Sequence, residues 1–293
     1  MSESKPAQPL VGLSLMPEAE FLAASQPLFE AGVVEVLEWS FDLGWGGVDL
    51  PRAVCQLLQK YSHCDRLLGH GVSYSLLSAQ WDSSQWLDCL AAECSEYRYR
   101  HISEHFGWMA AGRFQQSAPL PLPLLPETLA VGIERLQQLA QVAQVPIGLE
   151  NLAFAFGLPD VMEQGIFIDR LLDSVNGFLL LDLHNLYCQI HNFELSASEI
   201  LARYPLDRVK EIHISGGSWS QHGSRKIRRD THDNPVPAVV FELLATVVNL
   251  CPQLEFVIFE RIGNTLGGAS SQAQFRRDYY QMIKIIQQAY VAS

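Results

Sequence analysis

"PETLAVGIERLQQLAQVAQVPIGLEN" (126–151) holds the architecture in miniature. Residues 126–143 repeat apolar side chains every three or four positions, as a helix lying on a sheet requires. "VPIGLEN" (145–151) is a short apolar run that ends on Glu150 and Asn151. A helix feeding a short buried strand is half of a parallel βαβ unit. The same alternation recurs on both sides. Strand-like runs fall at "VVEVLEW" (33–39), "RLLGHGV" (66–72), "YRHISEH" (99–105), "GFLLLDL" (177–183), "VKEIHIS" (209–215) and "EFVIFER" (255–261). Amphipathic segments such as "RAVCQLLQKY", "SSQWLDCLAAECSEY" and "AVVFELLATVVNL" lie between them. With a short eighth strand near "IRRDTH" (227–232), the pattern predicts an α/β fold, a (β/α)8 TIM barrel. An open, doubly wound sheet is the competing arrangement. Residues 1–293 are expected to form one domain, with "MSESKPAQP" (1–9) as a polar tail and "SAPLPLPLLPE" (117–127) as an extended proline-rich loop.

Composition narrows the function. Hydrophobic residues make up 48% and charged residues 18%, enough for a large core. The net charge of −12 argues against a nucleic-acid partner, and only "RKIRR" (225–229) is basic. No run approaches the ~20 apolar residues of a membrane span, and the polar start lacks a signal peptide's apolar stretch. The six cysteines contain no CxxC pair and read as reduced, so a cytoplasmic protein is expected. There is no G-x-S-x-G elbow, no phosphate loop, and no G-x-G-x-x-G after the first strand.

Polar residues cluster at strand ends: Glu35 and Glu38, His70, Glu104 and His105, Glu150, Asp182 and His184, His213, and Glu260. "DTHDNPVP" (230–237) adds Asp230 and His232, which would share one side of an extended segment. In an α/β barrel all C-terminal strand ends meet at one mouth. Taken singly, each residue has an ordinary reading: His70 as a turn histidine, Glu150 as a helix cap, His213 as a hydrogen-bonded core imidazole. His63, His101, His191 and His222 read as surface or structural. Together, converging imidazoles and carboxylates would be costly to bury without cations, and the mixed donor set suits iron, manganese or zinc.

In order, "GHG", "SEHFGW", "GLENLAF", "LLLDLHNLY", "EIHISGG" and "DTHDNPVP" resemble the multinuclear non-haem iron-dependent oxidative enzymes, an offshoot of the xylose-isomerase-like barrels. The resemblance runs from about residue 10 to residue 285. It implies an oxidoreductase with two or three iron ions and O2 as co-substrate. Its substrate would be a ribosomally synthesised precursor peptide, often modified at cysteine and presented by a small partner protein. By the same resemblance His70 and His105 bind one iron, and Glu150 bridges it to a second held by Asp182, His213 and Glu260. Asp230 and His232 hold a further ion, and Glu150, Asp182 and His213 form the catalytic set. The chain departs from the family's usual pattern at His184 (usually asparagine), Gly217 (often histidine) and Asn234 (usually histidine). His184 is expected on the same strand face as Asp182, as a metal ligand or as a histidine orienting one. Two other classes fit the residues: another metal-dependent barrel enzyme, such as a sugar isomerase or endonuclease-like phosphodiesterase, and a non-catalytic metal-binding partner protein.

Overall fold

A computed structural model describes residues 7–291, with 115–117 as backbone only; residues 1–6 of the expected tail lie outside the described residues. The elements run β1 (Leu10–Leu15), α1 (Ala19–Glu30), β2 (Val36–Trp39), α2 (Arg52–His63), β3 (Leu67–Gly71), α3 (Ser84–Glu96) and β4 (Tyr99–His105). Next come β5 (Trp108–Ala111), β6 (Phe114–Leu120), α4 (Pro126–Ala143), β7 (Ile147–Glu150), α5 (Leu158–Asp173), β8 (Phe178–Asp182), α6 (Leu183–Phe193) and α7 (Ala197–Leu201). The chain ends with β9 (Val209–Ile214), β10 (Trp219–His222), β11 (Arg225–Arg228), α8 (Ala238–Val247), β12 (Phe256–Phe259) and α9 (Ala269–Val291). Eight parallel strands close in the order β1-β12-β9-β8-β7-β4-β3-β2, so the sheet is a barrel and not an open one. No helix among the described residues is long and apolar enough to cross a membrane.

Three expectations need correction. The barrel's first strand is "LVGLSL", which ends without carboxylate or imidazole and so lacked the signal that marked the others. The strand expected near "IRRDTH" is absent from the barrel: β11 pairs antiparallel with β10 as a separate two-stranded hairpin. Its Arg225 and Lys226 are exposed, whereas a parallel barrel strand must be buried on both faces. The proline-rich segment is not all loop, because β6 pairs with β5 and α4 starts at Pro126. Proline suits a helix's first turn, where its missing N–H has no helical partner anyway.

Strand alternation divides the interior into two regions. Leu37, Leu67, Ile102, Leu149, Leu181, Ile212 and Val257 face outward into one large core with the helices. Val36, Leu68, Phe256 and Ile258 form a separate small cluster. Two positions beyond Val36, Leu68 and Ile258, on the same face, stand Glu38, His70 and Glu260. The pleat therefore carries each strand's inner row from apolar floor to polar mouth. Lower in the barrel, His101 Nε2 lies 2.8 Å from Glu211 Oε2, with the Phe178 and Phe256 rings 4.5 and 5.2 Å from the imidazole. His101 is thus a buried structural histidine.

Candidate metal centre

Backbone geometry, rather than strand alternation alone, brings the mouth residues together. β8 ends at Asp182, whose carboxylate caps α6 by accepting the Asn185 N–H at 2.5 Å. His184 therefore lies in the first turn of α6, not on a strand face as expected. Asp230 and His232 do not form an extended pair either. His232 sits at φ +50°, a left-handed turn unusual for a side-chain-bearing residue, and its Nε2 lies 2.9 Å from Asp230 Oδ1. Glu104 and Glu35 leave the group. Glu104 lies against Gly71, where a β-carbon would come 1.7 Å from its Oε1. Glu35 accepts the Val11 N–H at 3.1 Å.

The remaining donors form linked triads, each with ligand atoms within 4.8 Å of one another: His70–His105–Glu150, Glu150–Asp182–His213, Glu38–His213–Glu260 and Asp182–His232–Glu260. Glu150, Asp182, His213 and Glu260 each belong to two triads. Nε2 of His70 and Nε2 of His105 converge on Oε2 of Glu150 at 3.4 and 3.2 Å. Nδ1 of His213 is 3.2 Å from Glu260 Oε2, and its Nε2 is 2.9 Å from Glu38 Oε2.

Neighbouring side chains fix which lone pairs point inward. Ser103 donates to the Gly69 carbonyl (3.4 Å) and so accepts from His70 Nδ1 (2.9 Å), leaving the His70 Nε2 lone pair facing Glu150. Asn185 Nδ2 donates to Glu150 Oε1 at 3.0 Å and to the Asn151 carbonyl at 2.9 Å. Arg228 Nε donates to His184 Nε2 at 3.0 Å, so that nitrogen holds a lone pair. The proton then sits on Nδ1, which donates to Asp230 Oδ1 at 3.0 Å. With both ring nitrogens engaged, His184 orients Asp230 and offers no lone pair of its own to the cluster.

The donor set fits cations. Burial drives the Glu150 carboxyl well above its ordinary range, with Asp182 reinforcing the shift. Burial likewise lifts Asp182 to about 8, helped by Asp230, and Glu38 to about 7 against the pull of His213. His70 is driven well down by burial and by His105. His105 falls to about 4, again mainly through burial. Asp182 Oδ2, Glu260 Oε2 and His213 Nδ1 are buried without hydrogen-bond geometry to any partner among the described residues. Lone pairs that face one another in a dry pocket are what a bound cation would satisfy. Access is one-sided. The side chains of His105, Asp230 and His232 are 18, 21 and 23% exposed, against 6% or less for His70, Glu150, His213 and Glu260.

The structure thus gathers His70, His105, Glu150, Asp182, His213, Asp230, His232 and Glu260 at one mouth, with His184 behind Asp230. Sequence reasoning gave no role to Glu38, Ser103, Asn151, Asn185 or Arg228. Glu38 carried the same strand-end signal as the others. Arg228 carried none, because its partner is 44 residues away in the chain.

A model of the family described as RiPP precursor modification enzyme MbnB/TglH/ChrH matches residues 48–266. A UPF0276 protein from Caulobacter vibrioides is 31% identical over 235 residues, covering 79% of this chain and 80% of that one. Another UPF0276 protein, from Rhizorhabdus wittichii, is 30% identical over 243 residues, covering 83% and 84%. Two solved structures share the fold at low identity. D-allulose 3-epimerase from Methylomonas sp. has a TM-score of 0.57 at 18% identity, covering 98% of this chain and 99% of that one. A xylose isomerase-like TIM barrel protein from Mycobacterium smegmatis has a TM-score of 0.54 at 15% identity, covering 93% and 90%. From the family match and the barrel with its polar mouth, the chain belongs to the MbnB/TglH/ChrH family of RiPP precursor modification enzymes, built on a xylose isomerase-like barrel.

Proposed function

We propose that the protein is a non-haem iron oxidoreductase that uses two or three iron ions and O2 to oxidise a side chain, often cysteine, in a ribosomally synthesised precursor peptide. The chain of triads sharing Glu150, Asp182, His213 and Glu260 carries this reading, because shared carboxylates hold neighbouring cations close together. His70, His105 and Glu150 would hold one ion. Glu150, Asp182, His213 and Glu260 would hold a second, and Asp182, Glu260, His232 and Asp230 a third. Imidazole and carboxylate suit iron, and neither is oxidised as readily as thiolate.

Bound iron would supply the one-electron exchange with O2 that no side chain here can perform. The protein's own part is positional. Ser103 and Glu38 hold the rings of His70 and His213 in register. Asn185 fixes Glu150 and Asp182, and the inner donors sit in walls that exclude water. The peptide enters past His105, Asp230 and His232, the exposed edge. A sugar isomerase would need a lysine near these carboxylates; Lys210, at the start of β9, instead lies 3.4 Å from Glu255, just before β12 begins.

Anaerobic purification followed by iron quantification tests the reading. Two or three iron ions per chain are expected, with O2 uptake on adding a cysteine-bearing precursor peptide. A folded protein that neither contains metal nor takes up iron(II) overturns it.

A further inference from the structure

The hairpin β10–β11 is the odd region of an acidic chain. It and the residue after it place Arg225, Lys226, Arg228 and Arg229 within five residues of a protein whose net charge is −12. Among the described residues, none of the four has a carboxylate within ion-pair distance. Arg228 is buried and serves the centre through His184. The other three are exposed. Clustered like charges repel one another. With no carboxylate beside them, their inward contacts are a carbonyl (Arg225 Nη2 to Asn192 at 2.7 Å), an imidazole and aromatic rings, so an anion covering the face would relieve the repulsion.

The face is also built with rings. Trp219 is 37% exposed, with Lys226 Nζ 4.7 Å and the Arg228 guanidinium 5.0 Å from its ring centroid. His191 packs edge-on against it at 4.7 Å and also lies 3.2 Å from the Lys226 carbonyl oxygen. Between the hairpin and α6 lies a cavity of about 550 Å³ lined by Tyr187, Ile190, His191, Glu194, Arg225 and Lys226. Glu194 is the one anion there, and it forms no ion pair among the described residues. Arg229 directly precedes Asp230, so the cationic face abuts the exposed edge of the metal centre.

We propose that this hairpin face docks an acidic segment of the peptide substrate, with Arg225, Lys226 and Arg229 meeting its carboxylates and leading the chain to the mouth. The proposal rests on the peptide-modifying reading above, but its test needs no turnover. A nucleic acid would also meet cations and an exposed indole, yet a long polyanion would be repelled by the rest of this surface.

The probe is a fluorescein-labelled ten-residue peptide rich in glutamate, compared with its glutamine counterpart and with a single-stranded oligonucleotide of similar length. Anisotropy with the full-length protein should show preferential binding of the glutamate peptide, weakening steeply with salt. The triple variant Arg225→Glu, Lys226→Glu, Arg229→Glu should weaken it by about tenfold or more, with iron content unchanged. If the triple variant does not fold, single Arg229→Gln and Lys226→Gln variants should each give a smaller loss in the same direction. Equal binding of the glutamate and glutamine peptides, unchanged binding by the charge variants, or tighter binding of the oligonucleotide overturns the proposal. Iron content of the wild-type protein separately decides whether the peptide-oxidising reading stands.

Discussion

Gly217 and His184 occupy one space. A β-carbon on Gly217 would come 2.7 Å from Cε1 of His184 and 2.1 Å from the Arg229 carbonyl oxygen. Two of the three departures that the family resemblance marks thus meet in space, and the Arg229 carbonyl by itself also bars a side chain at 217. Gly217→Ala should cost about 1–3 kcal/mol through overpacking, a drop of several degrees in Tm by calorimetry. Combining it with His184→Asn should recover only part of the loss, because the Arg229 carbonyl is backbone and cannot swing away. Full recovery would mean the ring alone excludes a side chain at 217.

His184→Asn should leave the fold intact and loosen Asp230. The amide cannot both accept from Arg228 and donate to Asp230 across the same span. Loss of a residue that orients a ligand typically lowers metal affinity by about 10–100-fold. Iron titration should show the weakest-held ion affected first. Unchanged stoichiometry and affinity would remove His184 from any role at the centre.

Glu150→Gln separates metal binding from stability. The carboxylate belongs to two triads, so the variant should lose at least one ion per chain and its turnover. Compared metal-free with metal-free, the variant should match the wild type in Tm, because burial already favours the neutral carboxyl at this position and a neutral amide costs no more to bury. Full metal content and turnover in this variant would reduce Glu150 to a structural acceptor for Asn185.

Glu38→Gln tests the residue that sequence reasoning left without a role. Its Oε2 lies 2.9 Å from His213 Nε2 and leaves Nδ1 facing Glu260. Removing the charge should weaken iron binding by about 10–100-fold while Tm moves little. Glu38→Asp, which keeps the charge on a shorter arm, should be intermediate. If both variants bind iron like the wild type, Glu38 only fills the barrel.

Thiol labelling checks the packing away from the centre. Cys64 is exposed, whereas Cys188 and Cys251 are buried. Burial pushes the Cys251 thiol up to about 12 and raises Cys188 well above its ordinary value. Since the thiolate is the reactive form, alkylation at pH 8 should mark Cys64 first and spare Cys188 and Cys251 until the chain is denatured. Mass mapping that finds Cys188 labelled early would contradict its place in α6.

The alternation of helix and strand on either side of "VPIGLEN" determined the α/β layout, because each strand's hydrophobic period is local and survives without its neighbours. Closure into a barrel rather than an open sheet was decided by the pairing of β1 with both β12 and β2. The same period placed His70, Glu150 and His213 at strand ends, where the pleat turns them inward. Other contacts depended on chain that comes together only after folding. The strand "LVGLSL" became legible only when β12 and β2 paired on either side of it. Asp230 reached the mouth from a loop beyond a hairpin, not from a strand, and the left-handed turn at His232 aimed the second imidazole. The engagement of His184 by Arg228, and the exclusion of any side chain at 217, are contacts between residues distant in sequence. Local propensity sets which elements form; only the closed barrel sets which of their side chains share a point in space.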